Sequence, residues 1–191
     1  NIVYSRSFDR AIRGRKYFEK FHDPMSSHSL VWGWMEGKGV RGKKVLELGV
    51  GDASLTQRLF EGGAMIDGVE IDVLSADLAK PYCRRVRVSD LNQIETLGLD
   101  ADYDFIVAAD VLEHLHDPEV VLSVLKQHLK VGGHLVVSLP NVGNLYVRLN
   151  MLFGRFPYHT KGILDRTHLH FYTLSSAERM LVKTGWVVEQ K

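Results

Sequence analysis

The stretch Lys44-Val45-Leu46-Glu47-Leu48-Gly49-Val50-Gly51-Asp52-Ala53-Ser54-Leu55 decides how this chain is read. A short apolar run passes directly into two glycines, the pattern of a buried strand that stops where the backbone must turn. Glycine lacks a Cβ, so such a turn can take φ values closed to other residues and lie close against a ligand. Leu55 to Phe60 then reads as a helix, whose first N–H groups have no partner of their own and suit a polar or anionic ligand.

Outward from that stretch the same alternation repeats. Ala64–Glu70 reads as a second strand, followed by a helix over Val73–Lys80 that Pro81 stops. Arg84–Val88 alternates arginine with valine as a third strand, and Phe105–Ala109 is a fourth, buried one. A helix over Asp117–Lys130, with Pro118 in its first turn, ends at Val131-Gly132-Gly133 before a fifth strand at His134–Leu139. Strands and helices alternating through short turns imply right-handed crossovers and a parallel sheet covered on both faces. The expected fold is therefore α/β, a doubly wound, mostly parallel Rossmann-like sheet.

The flanks differ from this core. Residues 6–38 read as helical, with a candidate N-cap at Ser26 or Ser27. Residues 141–172 read as an irregular insertion rich in aromatics and histidine. A helix over 175–184 and a strand at Trp186–Glu189 close the chain. No repeat or Pro/Gly-rich linker divides it, so residues 1–191 are expected to be one domain. Its parts are an N-terminal helical cap (1–42), a ligand-binding core (43–140) and a C-terminal part (141–191).

Composition excludes some classes. The 24 basic and 23 acidic residues leave a net charge of +1, with no global attraction to nucleic acid or anionic membrane, though a local patch is still allowed. The single cysteine, Cys83, cannot form an intrachain disulfide and suits a reducing, cytoplasmic setting. No apolar run approaches the roughly 20 residues that span a bilayer.

In a doubly wound sheet the ligand sits beyond the carboxyl ends of the strands. Gly49 and Gly51 lie after the first strand, and Ser54 stands where a dinucleotide loop carries a third glycine, which disfavours NAD. Glu70, at the end of the second strand, can accept both hydroxyls of a ribose, while Asp72 is a candidate helix cap. After the third strand, Asp90 can accept from an exocyclic amino group and the neighbouring Leu91 N–H can donate to a ring nitrogen. Taken alone, Asp90 reads equally as a cap for Asn92 onward.

Three stretches at consecutive strand ends carry a resemblance. Val45–Leu55 resembles motif I of class I S-adenosylmethionine-dependent methyltransferases, and Gly68–Asp72 and Ser89-Asp90-Leu91 resemble the next two cofactor motifs. Tyr103–Leu115, with its Asp-Val-Leu-Glu-His string, is similar to the fourth. Leu139-Pro140-Asn141, Gly154–Tyr158 and Leu164–Leu169 resemble the small-molecule branch that includes ubiquinone-biosynthesis O-methyltransferases and polysaccharide-cluster methyltransferases. The resemblance implies S-adenosylmethionine as cofactor and S-adenosylhomocysteine as product. It puts the methionyl part at Glu47, Gly49 and Gly51, ribose at Glu70, adenine at Ile71, Asp90 and Leu91, and the sulfonium beside Ala109. It implies a small-molecule acceptor, most simply an oxygen of a sugar, glycolipid precursor or quinone-like hydroxyl. Two departures stand out: the third motif I glycine is Ala53, and the family's final antiparallel strand is missing from the sequence.

Methyl transfer needs acceptor and methyl held in line, water excluded, and a proton removed when the acceptor is a hydroxyl. His114 and His168 are the first candidates for that base, ahead of His116, His159 and His170. His168 and His170, two apart, would point to one side of an extended segment. Asp110, Glu113 and His114 have helical i, i+3, i+4 spacing, the pattern of a divalent-ion site in some relatives, although no metal is assigned here. Arg148, Arg155 and Arg166 could clamp an anionic acceptor, or Asp165 and Arg166 could pair locally. Tyr146, Phe153, Phe156, Tyr158, Phe171 and Tyr172 are candidates for the wall of an acceptor pocket. No covalent nucleophile is required, so Cys83 reads as a small core residue. The alternatives are an RNA- or protein-directed methyltransferase and a non-catalytic S-adenosylmethionine-binding module. Near-zero charge disfavours nucleic acid, and the intact Gly49, Gly51, Glu70 and Asp90 disfavour the binding module.

Overall fold

A computed structural model describes residues 23–160 and 162–190. In chain order its elements are α1 (Ser27–Lys38), β1 (Lys44–Leu48), α2 (Ser54–Glu61), β2 (Met65–Glu70), α3 (Val73–Ala79), β3 (Arg85–Val88), β4 (Tyr103–Ala109), α4 (Pro118–Leu125), β5 (Leu129–Ser138), α5 (Leu145–Leu152) and α6 (Leu174–Lys183). The strand order is β3-β2-β1-β4-β5, and the pairs β1–β2, β2–β3 and β4–β5 are all parallel. This is the expected α/β, Rossmann-like fold. The chain divides after Ser89 into two compact units.

In the first unit β1 is buried, with Val45, Leu46 and Leu48 inaccessible to solvent. That explains its unbroken apolar run, because a parallel strand covered on both faces has no polar side. α2 buries Leu55 and Leu59 at i, i+4 spacing and leaves Arg58 outside. Asp72 caps α3, its Oδ2 accepting from Ser75 N at 2.9 Å and Ser75 Oγ at 2.8 Å. α3 ends at Ala79, where Pro81 enters a short 3-10 turn over Lys80–Tyr82. The arginines before and within β3 answer a buried charge. Asp67 on β2 accepts from Arg84 at 2.6 Å and from Arg85 at 3.2 Å. Ser26 caps α1 by accepting from Ser29 N at 3.2 Å, as expected. Residues 23–26, expected to be helical, form a turn ahead of that cap, and residues 6–22 of the predicted helix lie outside the described residues.

Three expectations fail in the second unit. The helix expected to reach Lys130 ends at Leu125, passes through a 3-10 turn over Lys126–His128, and β5 begins at Leu129. Tyr103 pairs with Leu129 and Phe105 with His134, so the Gly132-Gly133 pair is a bulge within β5 rather than a helix stop. Gly133 is needed there, since a Cβ would lie 2.9 Å from Leu129 Cγ and 3.0 Å from Asp104 O. The insertion expected to be irregular contains α5, capped by Asn144, which accepts from Tyr146 N at 2.9 Å. Its one buried residue, Val147, leaves no inward apolar stripe for a periodicity argument to find. Residues 186–189 form no strand. Trp186 Nε1 donates to Leu122 O on α4 at 3.2 Å, and Val187 is 88% exposed. β-branched residues make a strand only where a ladder receives them.

Candidate functional site

The loop after β1 is built from left-handed backbone. Gly49, Gly51 and Ala53 all have positive φ, at 69°, 54° and 59°. Glycine takes that conformation freely, whereas Ala53 pays about 1 kcal/mol for it, offset by burial of its methyl against Val50 and Ala79. A Cβ on Gly51 would meet only Gly49 O at 3.9 Å, so conformation rather than crowding selects glycine there. Glu70 braces the loop. Its Oε2 accepts from Gly51 N at 2.8 Å, and its Oε1 accepts from Ile71 N at 2.9 Å and Asp72 N at 3.0 Å. A carboxylate has about four acceptor sites, so Glu70 keeps capacity for one further donor rather than the two that a ribose diol offers. Glu47 is buried at the end of β1, and Ile71 is exposed beside Glu70. Gly68 is the strand residue that lets Val50 in, because a Cβ there would lie 2.8 Å from Val50 Cγ1. Cys83 is half-buried; burial first, then the carboxylates Glu47 and Asp67, push its pKa up to about 12, which leaves an inert thiol.

In the second unit Asp90 acts as the cap of the 3-10 turn Leu91–Thr96. Its Oδ1 accepts from Asn92 N at 2.9 Å and from Asn92 Nδ2 at 2.8 Å. Leu91 is buried, and Ala109 is the last, half-buried residue of β4.

Beyond β4 the structure brings His114 and His168 together. Their rings meet edge to face with centroids 4.8 Å apart. His114 Nδ1 lies 3.2 Å from Thr167 O, and His168 Nδ1 lies 3.2 Å from Ile163 O. A carbonyl only accepts, so each ring carries its proton on Nδ1 and leaves Nε2 as the lone-pair nitrogen. Behind them Glu113 is 1% exposed, with Oε1 3.9 Å from His168 Nε2 and Oε2 without a hydrogen-bond partner. Burial, and to a lesser extent the Asp110 carboxylate, raises the Glu113 pKa to about 8. Burial and the neighbouring His114 lower that of His168. The Glu113 backbone carbonyl accepts from Leu169 N at 2.8 Å and His170 N at 3.2 Å, which pins the insertion to this point.

The helical face expected for Asp110, Glu113 and His114 does not form. Asp110 has φ 55° and Leu112–His114 is a 3-10 turn, so the i, i+3, i+4 geometry is lost. Asp110 accepts instead from Ser138 Oγ at 2.7 Å. Among the described residues, the trio whose ligand atoms could converge on one ion, all within 4.8 Å, is Glu113, His114 and His168. His168 and His170 also part company, since His170 Nε2 turns 3.3 Å from His116 O and both residues line a groove with Arg179 and Lys183. Asp165 orders its turn through Thr167, accepting from its N and Oγ1 at 2.8 Å each, rather than through Arg166. Phe156, Phe171 and Tyr158 pack edge to face, whereas Tyr146 and Phe153 lie open to solvent.

The arrangement has relatives. A family model described as a methyltransferase domain matches residues 16–191. The chain is 27% identical over 141 residues to a ubiquinone biosynthesis O-methyltransferase of Cupriavidus pinatubonensis, covering 65% of this chain and 51% of that protein. It is 28% identical over 164 residues to the mitochondrial ubiquinone biosynthesis O-methyltransferase of Rattus norvegicus, covering 80% and 47%. The chain thus spans about half the length of the curated relatives it matches. Among solved structures, a magnesium protoporphyrin IX methyltransferase from Synechocystis with bound S-adenosylhomocysteine superposes with TM-score 0.64 at 19% identity, covering 100% of this chain and 82% of that one. An Archaeoglobus fulgidus S-adenosylmethionine-dependent methyltransferase superposes with TM-score 0.62 at 21% identity, covering 88% and 73%. At these identities the likeness is one of fold. Because the matched stretch takes in the Glu70-braced loop as well as Glu113, His114 and His168, the chain belongs to the methyltransferase domain family.

Proposed function

We propose that this chain is the catalytic domain of an enzyme that transfers a methyl group from S-adenosylmethionine to a hydroxyl oxygen of a small-molecule acceptor, releasing S-adenosylhomocysteine. Residues 1–191 act as one methyltransferase domain in a cytoplasmic setting; among the described residues no helix is long and apolar enough to cross a membrane. The residues present fit the cofactor. Glu70 retains an acceptor site for a ribose hydroxyl, the glycine loop is open above Gly51, and Ile71 offers an exposed apolar side chain to an adenine face. Glu47 for the methionyl amine, Asp90 and Leu91 for the adenine edge, and Ala109 beside the sulfonium are assigned from the family pattern. When bound, the cofactor supplies an electrophilic methyl on sulfur.

The observation that carries the oxygen acceptor is the His114–His168 pair in front of Glu113. His114 takes the acceptor proton at Nε2, because Thr167 O holds its Nδ1–H and its residue is exposed. His168 positions that ring from behind and stays neutral, and Glu113 keeps its own proton near neutral pH. Neither neighbour therefore supplies a fixed charge that would repel the incoming proton or trap it.

The test uses the full-length protein, S-adenosylhomocysteine and a panel of hydroxylated acceptors. At a hundredfold excess over Kd, S-adenosylhomocysteine should stabilise the fold by about 2.7 kcal/mol, a Tm rise of roughly 5–10 °C. His114→Ala should lower kcat by about 10²–10⁴ and leave that thermal shift intact. No thermal shift overturns the cofactor reading; full turnover in His114→Ala overturns the base. Activity of chelator-treated protein that is restored only by Mg²⁺ would instead assign the trio to an ion.

A further inference from the structure

We propose that the groove between α4 and α6 is a second binding site, taking a small molecule that carries one carboxylate. The groove lies in the second unit, holds about 610 Å³, and has neither His114 nor His168 in its wall. Small-molecule sites commonly enclose about 300–1,000 Å³. α6 presents Ser176, Arg179, Met180 and Lys183 to it, an i, i+3, i+4, i+7 set that shares one helical face. The entry to α4 supplies the stretch from His116 to Glu119, and His170 and Tyr172 complete the wall.

Two groups in this groove are left unexplained by packing. Tyr172 is 7% exposed, and its hydroxyl has no hydrogen-bond partner among the described residues. A buried tyrosine hydroxyl ordinarily has one, and phenylalanine would fill the same space without that cost. The residue is held in place: Tyr172 O accepts from Val142 N at 2.8 Å, and the His170 ring lies beside the phenol with centroids 6.2 Å apart. Burial, then the Glu113 and Glu119 carboxylates, push its pKa up to about 12, so the hydroxyl keeps its proton and is available as a donor. Arg179 is exposed and forms no ion pair or hydrogen bond among the described residues. The acids of the groove are already engaged. Glu119 pairs with Lys183, and Asp117 caps α4, its Oδ1 accepting from Val120 N at 3.1 Å.

An unpaired guanidinium and an unpaired phenol in one groove call for an oxyanion. The planar fork of Arg179 matches the two oxygens of a carboxylate, and the Tyr172 hydroxyl can donate to one of them. Asp117 and Glu119 select among oxyanions, because a phosphate dianion would meet two like charges, whereas the single charge of a carboxylate is answered by Arg179. Pro118 and Met180, both buried, offer an apolar surface to the body of the ligand.

The experiment is an NMR titration of the full-length protein, its methionine methyls labelled with carbon-13, with linear monocarboxylates from acetate to hexanoate. Ionic strength is held constant and the pH is mildly alkaline, where inorganic phosphate is a dianion. The Met180 methyl should shift saturably, with a Kd for hexanoate on the order of 1 mM. Inorganic phosphate should bind roughly tenfold more weakly or worse. Arg179→Ala should lose about tenfold or more in hexanoate affinity. Tyr172→Phe should lose about threefold to tenfold and, without ligand, melt at or above the Tm of the parent, because it removes an unpartnered buried hydroxyl. In both variants the thermal shift with S-adenosylhomocysteine should persist, so that this proposal and the cofactor reading fail separately. The proposal is overturned by a Met180 methyl that no monocarboxylate shifts saturably, or by phosphate binding as tightly as hexanoate. Unchanged hexanoate affinity in Arg179→Ala, whose side chain is exposed, also overturns it, as does a Tyr172→Phe protein that melts below the parent.

Discussion

Glu113→Gln tests the second unit most sharply, because its effect has a sign that changes with pH. Glu113 is buried, and its pKa rises from 4.5 to about 8, chiefly because burial penalises the charged form. Its pKa is higher in the folded than in the unfolded chain. The stability it contributes is therefore fully present below pH 4.5 and is lost as pH rises through about 8. At about 1.36 kcal/mol per pH unit, the loss is about 3 kcal/mol at pH 7 and approaches 5 kcal/mol above pH 8. Glutamine has the same shape and no charge to desolvate, and its amide N–H₂ can face the His168 Nε2 lone pair as a protonated Glu113 would. The variant should match the wild type near pH 4.5 and exceed it in Tm by roughly 6–12 °C at pH 7, measured by calorimetry across the pH range. It should also turn over more slowly, the usual consequence of relieving strain in a working site. A Tm difference constant between pH 5 and pH 8.5, or a variant less stable than the wild type at pH 8, refutes the reasoning.

Glu70→Ala removes the acceptor proposed for the ribose and three backbone partners at once. It should weaken S-adenosylhomocysteine binding about 10–100-fold in calorimetric titration and cost about 1–3 kcal/mol of stability; unaltered affinity rejects the ribose assignment. Gly68→Ala drives a methyl into Val50 Cγ1, so it should destabilise by about 1–3 kcal/mol and weaken the same ligand through the shifted loop, read by melting and titration together. Cys83→Ser should leave turnover and sensitivity to thiol reagents as they are in the parent, because the buried thiol stays protonated; loss of activity on mild alkylation of the parent protein contradicts this.

Residues close in sequence determined much of this protein by themselves. The glycine loop after β1, the Asp72 cap, the Ser26 cap and the α/β alternation are local. Each depends on backbone conformation or on partners within a few residues, and spacing reports those faithfully. The ladder and the long-range contacts decided the rest. β5 starts at Leu129 because Tyr103 pairs there, and residues 186–189 form no strand despite their valines. α5 escaped the periodicity argument because its apolar face points outward. The proposed base illustrates both halves. His114 and His168 are each legible as candidates, but 3-10 geometry at Leu112–His114 separates Asp110 from the expected trio. Only the fold of the insertion, pinned by Leu169 and His170 to the Glu113 carbonyl, places His168 against His114. A contact between residues so far apart in the chain leaves no period in the sequence, because its geometry comes from packing rather than from any local backbone preference.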